Sequence, residues 1–332
     1  MILSHLLQSG SSKTAAATTV PVSGSKQQGV AIITALLIVT IATTVSITIS
    51  TRLQLDVRRT SNLIAQDQAD FYLLAAEEWS QRILRQDKKD STIDELNEDW
   101  AVELPPLPVA GGSIQGKLSD LHSCINVNSL LEAGAINTST QSRLTRLFNN
   151  LGLNHISTPL IKDWIDNDLE TDPNGGAEDG YYLNLEKPYR TANRPLHSIS
   201  ELRLIKGFED VNDYKKLRPH LCAFMVNNGH TINVNTASDE VLKSLAAGMT
   251  DNLVKDIINH RNDTPFNELK DFTSFAKLGT IIKDTAKLST SSDYFLLRTQ
   301  AIIGQANKVM YSIIYRDDAG KTEVISRSYR TL

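Results

Sequence analysis

The sequence contains only two cysteines, Cys124 and Cys222, among its 332 residues. They lie far apart and no other residues accompany them at metal-ligand spacing, which excludes a cysteine-based zinc finger. In an oxidising compartment the pair can form one disulfide, and two separate buried thiols are the alternative. The cysteine content alone leaves this choice open.

The chain also lacks an excess of positive charge, since 34 Lys and Arg face 38 Asp and Glu and the formal net charge is −4. Extensive nucleic-acid binding therefore has no electrostatic basis, although local basic patches remain open. The seven histidines form no His-x-x-x-His pair, and no phosphate-binding loop or serine-hydrolase motif is present. We therefore expect a protein that is not an enzyme and binds no nucleic acid.

Charge is absent from one long segment. Val30 to Ser50 contains no charged residue, no Gly and no Pro, and it is about as long as the 20-residue helix that crosses a hydrocarbon core of roughly 30 Å. Residues 1–29 are rich in Ser, Thr, Ala and Gly, and we interpret them as a leader. Because Gly29 precedes the apolar run, the boundary resembles a prepilin signal that is cleaved between Gly29 and Val30. A plain signal anchor is the alternative.

The helix should continue past residue 51 to about Arg85, because neither Pro nor Gly interrupts this stretch. Helical periodicity predicts one apolar stripe that lies on a sheet and charged residues that fall elsewhere on the helix. The predicted stripe is Ile64, Phe71, Ala75, Trp79 and Ile83, and the charged set is Arg58, Arg59, Asp67, Asp70 and Glu77.

The remaining pattern predicts an α+β protein. One strand is expected at 113–120, and three more at 294–303, 309–315 and 322–329 form an antiparallel meander. The segment between them reads as helical. We therefore divide the chain into a membrane and assembly helix (30–51), a first sheet-bearing part (52–124), a helical insertion (125–290) and a second sheet-bearing part (291–332).

The insertion contains a short internal repeat, since Ile-Asn-Val-Asn occurs at 125–128 and again at 232–235. Each copy precedes a segment that favours a helix, and Asn and Ser are suitable N-cap residues. We interpret the insertion as two helical lobes of related design. A coincidental match is the alternative.

The densest group of polar residues is an acidic loop at 163–182, where seven carboxylates fall between Asp163 and Asp179 without any Lys or Arg. Such crowding is unfavourable unless a cation neutralises it, and hard oxygen ligands suit Ca²⁺. The loop is not an EF-hand, because Thr171 and Ala177 occupy the positions of its Gly and Glu. A solvated acidic loop is the alternative.

Several ordered motifs together resemble the protein K family, the minor pseudopilins of type II secretion. The motifs are the apolar run after Gly29, residues 55–60, 67–69 and 75–77, and the stretch from the acidic loop to Arg203. The resemblance implies a type IV pilin-like fold, with a long N-terminal helix on an antiparallel sheet and a large α-helical insertion. It also implies that Thr34, where most pilins carry Glu, marks a subunit at the filament tip.

The resemblance further implies a structural calcium site with two ions, and we expect Asp163, Asp166, Asp168, Glu178 and Asp179 to be ligands. The implied function is to cap the pseudopilus tip and to take part in its initiation and in export of folded proteins. The implied partners are minor pseudopilins I, J and H, the prepilin peptidase, the inner-membrane secretion platform, and cargo or the outer-membrane channel. The chain would cross the bacterial inner membrane once, with its bulk in the periplasm.

A second interpretation is a membrane-anchored helix-hairpin-helix protein that binds DNA, because residues 232–266 resemble that module. The hairpin should present glycine amides to a phosphate. Gly248 is present, but Thr250 occupies the second glycine position, and nearby acidic residues offset the basic ones. A calcium-dependent periplasmic hydrolase is a third, more remote interpretation.

Overall fold

The computed structural model describes residues 28–103, 105–226 and 229–329, so the leader predicted at 1–29 lies outside the described residues except for its last two. Helix α1 spans Gln28–Asp90 without a break and therefore ends later than the predicted Arg85. In the described part of the chain it is the one helix that is long and apolar enough to cross a membrane.

The chain divides into two compact units, one ending at Thr60 and one beginning at Ser61. In the first unit the threonine hydroxyls bond within α1. The hydroxyls of Thr34, Thr40, Thr44 and Thr48 each donate to the carbonyl four residues earlier, at 2.6–3.0 Å. Because these polar groups are satisfied inside the helix, this segment is compatible with a membrane environment.

The second unit contains the sheet and the insertion. Its strands are β1 (Leu107–Val109), β2 (Gly112–Asp120), β3 (Ile125–Asn126), β4 (Leu131–Glu132), β5 (Ala135–Ile136), β6 (Leu221–Cys222), β7 (Ile232–Asn233), β8 (Leu288–Ser289), β9 (Tyr294–Ile303), β10 (Ala306–Arg316) and β11 (Thr322–Ser328). Its helices are α2 (Thr138–Asn150), α3 (Thr158–Ile165), α4 (Asp179–Tyr182), α5 (Val211–Leu217), α6 (Asp239–Ser244), α7 (Asp251–Asp263), α8 (Leu269–Ser274) and α9 (Leu278–Ile281).

The main sheet has five antiparallel strands in the order β1-β2-β9-β10-β11. The predicted pairing of one early strand with the late meander is therefore confirmed. Strand β1 was not predicted, because prolines at 105, 106 and 108 indicated a connection. It lies at the edge of the sheet, where a proline without an N–H group is tolerated.

Helix α1 packs on the sheet through a different face from the predicted stripe. Ala69, Leu73 and Leu84 are buried, whereas Phe71 is 73% exposed and Trp79 is 46% exposed. The buried face also includes Glu77, which was predicted to lie elsewhere. Its carboxylate accepts hydrogen bonds from Ser312 and Arg327, at 2.5–2.8 Å. The prediction was wrong because these partners, distant in sequence, compensate the energetic cost of burying an acidic residue.

The two copies of Ile-Asn-Val-Asn share a parallel strand pairing and an asparagine contact. Each begins a short strand that pairs in parallel, β3 with β6 and β7 with β8. The side-chain amide of the last asparagine in each copy then forms two hydrogen bonds with the backbone N–H and C=O of one residue distant in sequence. Asn128 bonds the N–H and C=O of Leu196 at 2.8 and 2.9 Å, and Asn235 bonds those of Phe266, both at 2.9 Å.

One hydrophobic core runs through the insertion from Ile125 to Leu288. Cys124 and Cys222 form a disulfide beside the β3–β6 pair. The helices expected directly after each copy differ in detail: Val127–Leu130 is a 3₁₀ turn, and α6 is capped by the Ser238 hydroxyl.

Candidate metal centre

The acidic loop begins where α3 ends. Pro159 lies in the first turn of α3, where its missing N–H is no loss, and Asp166 caps the C-terminus with an extended backbone. Trp164 and Tyr182 anchor the two sides of the loop, with ring centroids 5.2 Å apart in an edge-to-face contact. This aromatic contact holds together the first and last parts of the acidic loop.

Three carboxylates of the acidic loop converge. One oxygen from each of Asp166, Asp168 and Glu178 lies within 4.8 Å of the other two. Calcium–oxygen distances are about 2.3–2.6 Å, so ligands on opposite sides of one ion are separated by about 4.8 Å. These three residues, which we call the loop cluster, are therefore spaced so that they can reach a single cation.

The loop cluster leaves buried oxygens without hydrogen-bond donors. Among the described residues, Oδ1 of Asp166 and Oε1 of Glu178 have no hydrogen-bond partner, and the other oxygen of Asp166, Oδ2, has only the ammonium of Lys162, 3.3 Å away. Burial raises the pKa of Glu178 to about 7, and the charges of Asp163 and Asp166 add to this shift. Burial also raises the pKa of Asp166. A bound cation would relieve both penalties, so the residues present fit a calcium ion.

Asp163, a predicted ligand, is fully buried and is not one of the three converging carboxylates. Its Oδ2 accepts the backbone N–H of Asp172 at 3.0 Å. A Cβ atom at Gly176 would come within 1.9 Å of the same oxygen, so the loop can close over Asp163 only with glycine at that position. In this structure Asp163 shapes the loop.

Asp179, another predicted ligand, faces the segment that follows the loop. Its Oδ1 accepts from the backbone and hydroxyl of Thr191 at 3.1 and 3.0 Å, and its Oδ2 accepts from Arg190 at 2.9 Å. The Thr191 hydroxyl is also 3.0 Å from Oε2 of Glu178. Thr191 thus joins the two acidic residues, a role that sequence reasoning missed because it lies outside the acidic run.

Two further residues of the site were not predicted. The ammonium of Lys162, the residue just before the loop, lies 3.5, 3.3 and 3.5 Å from carboxylate oxygens of Asp163, Asp166 and Asp172. Asn193 donates through Nδ2 to the carbonyl of Asp168 at 3.2 Å. An i,i+4 spacing from Lys162 to Asp166 was the one available signal for the lysine.

A second acidic group lies where the insertion meets the sheet, and we call Asp87, Asp94, Glu98, Asp120 and Arg316 the junction cluster. Oxygens of Asp87, Asp94 and Glu98 also lie within 4.8 Å of one another. Here, however, the guanidinium of Arg316, only 1% exposed, pairs with both Asp87 and Asp94. The junction cluster therefore contains a buried cation paired with two of its carboxylates, whereas Lys162, the cation beside the loop cluster, is 21% exposed and contacts only Asp166 of that cluster.

Asp120 completes the junction with donors from several elements. Its Oδ1 accepts the backbone N–H of His122 at 2.7 Å, and its Oδ2 accepts from Thr236, from Ser292 at 2.7 Å and from Asn233 at 3.3 Å. Even so, complete burial raises the pKa of Asp120 to about 7. These bonds tie Asn233 and Thr236 of the insertion to the end of β2.

The region that resembled a helix-hairpin-helix is packed against the protein. A Cβ at Gly248 would come within 2.8 Å of Ile281, so the hairpin glycine serves close packing. Arg261 is buried and donates to the carbonyl of Val234 at 2.9 Å. Lys243 pairs with Asp251. Gly248, Arg261 and Lys243 are therefore all engaged in contacts within the protein.

Comparison with known proteins gives consistent results. Two sequence profiles described as "Type II secretion system (T2SS), protein K" match residues 123–226 and 232–291. The type II secretion system protein K of Aeromonas hydrophila is 32% identical, over 91% of this chain and 97% of its own length. The protein K of Pseudomonas aeruginosa is 31% identical, over 91% of this chain and 92% of its own length.

A solved structure is similar in fold. A chain in the crystal structure of the GspK-GspI-GspJ complex from enterotoxigenic Escherichia coli matches with a TM-score of 0.68 and 24% identity. The match covers 82% of this chain and 100% of that one. The type IV pilin-like fold, with its long N-terminal helix, antiparallel sheet and helical insertion, is thereby confirmed.

Proposed function

Because this chain belongs to the type II secretion system protein K family, we propose that it caps the tip of the pseudopilus as a minor pseudopilin. In this role it takes part in pseudopilus initiation and in the export of folded proteins across the outer membrane. The observation that carries the proposal is Thr34. Its hydroxyl bonds to the carbonyls of Val30 and Ala31 within α1, so the position holds no charge for a neighbouring subunit above.

Substitution of Thr34 tests the tip role. Thr34→Glu restores the charged residue of ordinary pilins, so subunits should become incorporated along the filament. Thr34→Val removes the hydroxyl without adding charge and is the matched control, for which location at the tip is expected. Immunogold labelling of pseudopili measures both. Labelling confined to the tip in the Thr34→Glu variant would argue against the proposed role of this position.

The uncharged start of α1 supports a single membrane crossing. We propose in addition that the bulk of the chain lies in the periplasm. We propose that prepilin peptidase cleaves between Gly29 and Val30 at the cytoplasmic side. N-terminal sequencing of the protein extracted from inner membranes tests this point directly. A mature start at Val30 is expected, whereas an intact leader would favour a plain signal anchor.

The proposed partners follow from the family and from the composition of the similar GspK-GspI-GspJ complex. We propose that α1 packs beside the corresponding helices of minor pseudopilins I and J, and that minor pseudopilin H is a further partner. The inner-membrane secretion platform would hold this assembly, and the insertion would face cargo or the outer-membrane channel. Cysteine crosslinking from the exposed Ile38 in α1 to pseudopilins I and J in intact cells tests the first contact.

The second part of the proposal is a structural calcium site in the acidic loop. Asp166, Asp168 and Glu178 would hold the ion, and the buried Oδ1 of Asp166 and Oε1 of Glu178, which have no hydrogen-bond donor, are the observation that supports it. When bound, the ion supplies positive charge that neutralises the three carboxylates. The second ion implied by the resemblance stays a prediction, with Asp163 and Asp179 as its remaining candidate ligands.

Thermal unfolding tests the calcium proposal. The full-length protein in detergent should unfold at a higher temperature in excess CaCl₂ than in excess chelator, because an ion that binds only the folded state stabilises it. Equal midpoints in the two conditions would overturn the proposal. Excess MgCl₂ is the ionic-strength control, since Mg²⁺ demands shorter, octahedral coordination.

A further inference from the structure

Lys162 places a positive charge inside the acidic loop. Its Nζ lies 3.3 Å from Oδ2 of Asp166 and 3.5 Å from oxygens of both Asp163 and Asp172. The side chain is only 21% exposed, so this charge is partly shielded from water. Ion pairs in such surroundings are stronger than those on an open surface.

The lysine and a divalent cation would compete for one carboxylate. Asp166 is the residue shared between the two sets, since it belongs to the loop cluster and is also the nearest ion partner of Lys162. A cation bound through Asp166 would lie close to the ammonium, where like charges repel. Lys162 must therefore move away when the ion binds. If it stays in place, the repulsion between the two positive charges weakens ion binding.

We propose that the ammonium of Lys162 competes with the divalent cation for Asp166 and so sets the affinity of the loop for that cation. We call this the competitor role of Lys162. This inference rests on the calcium site proposed above and adds its regulation. The ammonium partly neutralises Asp163, Asp166 and Asp172 by itself, so it preserves the loop when calcium is scarce. The same charge weakens calcium binding, and therefore raises the calcium concentration at which the loop becomes loaded.

Removing the charge should shift two measured quantities in opposite directions. In Lys162→Met, the calcium Kd should fall about tenfold or more, because a nearby like charge has been removed. In chelator, the same variant should unfold at a lower temperature than the wild type, because the three carboxylates have lost their cation. A residue that only packs against the loop would not produce a gain in calcium affinity.

The experiment is isothermal titration of the full-length protein in detergent with CaCl₂, after treatment with chelator and desalting. Lys162→Gln is a second neutral variant in case the Met variant folds poorly, and Lys162→Arg keeps the charge and should retain a Kd close to that of the wild type. Lys187→Met is the matched control, because Lys187 is exposed near the same loop and its removal should leave the calcium Kd unchanged.

The outcomes separate the two proposals. Tighter calcium binding in both neutral variants supports the competitor role. Unchanged or weaker binding in folded Lys162→Met and Lys162→Gln overturns it and leaves the calcium site intact. If neither the wild type nor these variants bind calcium at millimolar concentration, the calcium site itself fails, and the competitor role fails with it.

Discussion

The loop cluster and the junction cluster both gather carboxylates within reach of one small cation, yet the protein treats them differently. In the junction cluster, Arg316 pairs with Asp87 and Asp94, and hydrogen-bond donors from several elements surround Asp120. In the loop cluster, Lys162 and Thr191 reach only one oxygen each of Asp166 and Glu178, and the other buried oxygen of each, Oδ1 of Asp166 and Oε1 of Glu178, has no donor among the described residues. The supply of donors, more than the density of negative charge, therefore distinguishes a structural ion-pair network from a candidate cation site.

The largest expected effect comes from removing the cation of the junction cluster. Arg316→Met should destabilise the fold by about 3–5 kcal/mol, because it leaves two carboxylates buried without their partner. The expected fall in the unfolding midpoint is roughly 6–10 °C at about 2 °C per kcal/mol, measured by circular dichroism of the full-length protein in detergent.

Arg82→Met is the control for Arg316→Met, since Arg82 is exposed on α1 and its loss should change the midpoint little. Excess CaCl₂ should not restore the Arg316→Met variant, because the junction is built around a guanidinium. If calcium restored the unfolding midpoint of Arg316→Met, the junction cluster would also accept a divalent cation. The proposed difference between the two clusters would then be wrong.

The next effect is the pH dependence of the junction. Burial raises the pKa of Asp120 from 3.8 to about 7, so between these values the folded protein holds a proton that the unfolded chain has lost. This contribution to stability is fully present below pH 3.8 and is lost as the pH rises through about 7. At about 1.4 kcal/mol per pH unit over about 3 units, the total is on the order of 4 kcal/mol.

Asp120→Asn isolates this contribution, because Asn stays neutral throughout. The stability of the variant relative to the wild type should improve steadily as the pH rises from 4 to 7, as measured by chemical unfolding at each pH. Comparing the two proteins cancels the titration of Asp87, whose pKa burial also raises to about 7, and of the buried His122 and His230. A relative stability that does not vary with pH would contradict the assignment to Asp120.

In the loop cluster the expected effect depends on calcium. At a concentration 100 times its Kd, calcium should stabilise the wild type by about 2.7 kcal/mol. Asp166→Asn should abolish most of this gain, because it removes the charge of a cluster ligand. Glu170→Gln is the matched control, since Glu170 is an exposed acid of the same loop and lies outside the cluster. Equal loss in both variants would indicate a diffuse electrostatic effect.

Patterns that are local in sequence made much of this architecture predictable. The uninterrupted run from Val30 specified α1, and turns at Gly304 and Gly320 delimited the late strands. The buried face of α1 was not predictable, because Glu77 is buried through partners on β10 and β11 that lie more than 200 residues away. Periodicity ranks positions by hydrophobicity and is silent about such pairs.

The candidate site divides in the same way. The acidic run identified Asp166, Asp168 and Glu178 as potential ligands because their chemistry is visible in the sequence. The roles of Lys162 and Thr191 depend on how the loop folds back on α3 and on the segment that follows it. Whether a carboxylate has a donor is a tertiary property, so sequence reasoning could not separate the candidate ligand Asp166 from the loop-shaping Asp163.

The smallest expected effect is also the most direct test of the comparison, and it concerns Glu98. This residue belongs to the junction group of closely spaced oxygens, but its Oε2 accepts from the Trp100 indole at 2.7 Å and from the backbone N–H of Glu95 at 3.0 Å. Glu98→Gln keeps one acceptor oxygen, so it should cost only about 1 kcal/mol, as expected for one hydrogen bond.

If carboxylates that already have hydrogen-bond donors do not bind calcium, Glu98→Gln should also leave the calcium Kd of the full-length protein within about twofold of the wild type. This is much less than the tenfold change in Kd that corresponds to about 1.4 kcal/mol. Titration calorimetry measures this beside Asp166→Asn, for which the heat of binding should disappear. A large loss of calcium affinity in Glu98→Gln would mean that the ion also occupies the junction. In that case spacing alone would define the sites, and the presence of donors would not protect a cluster from calcium.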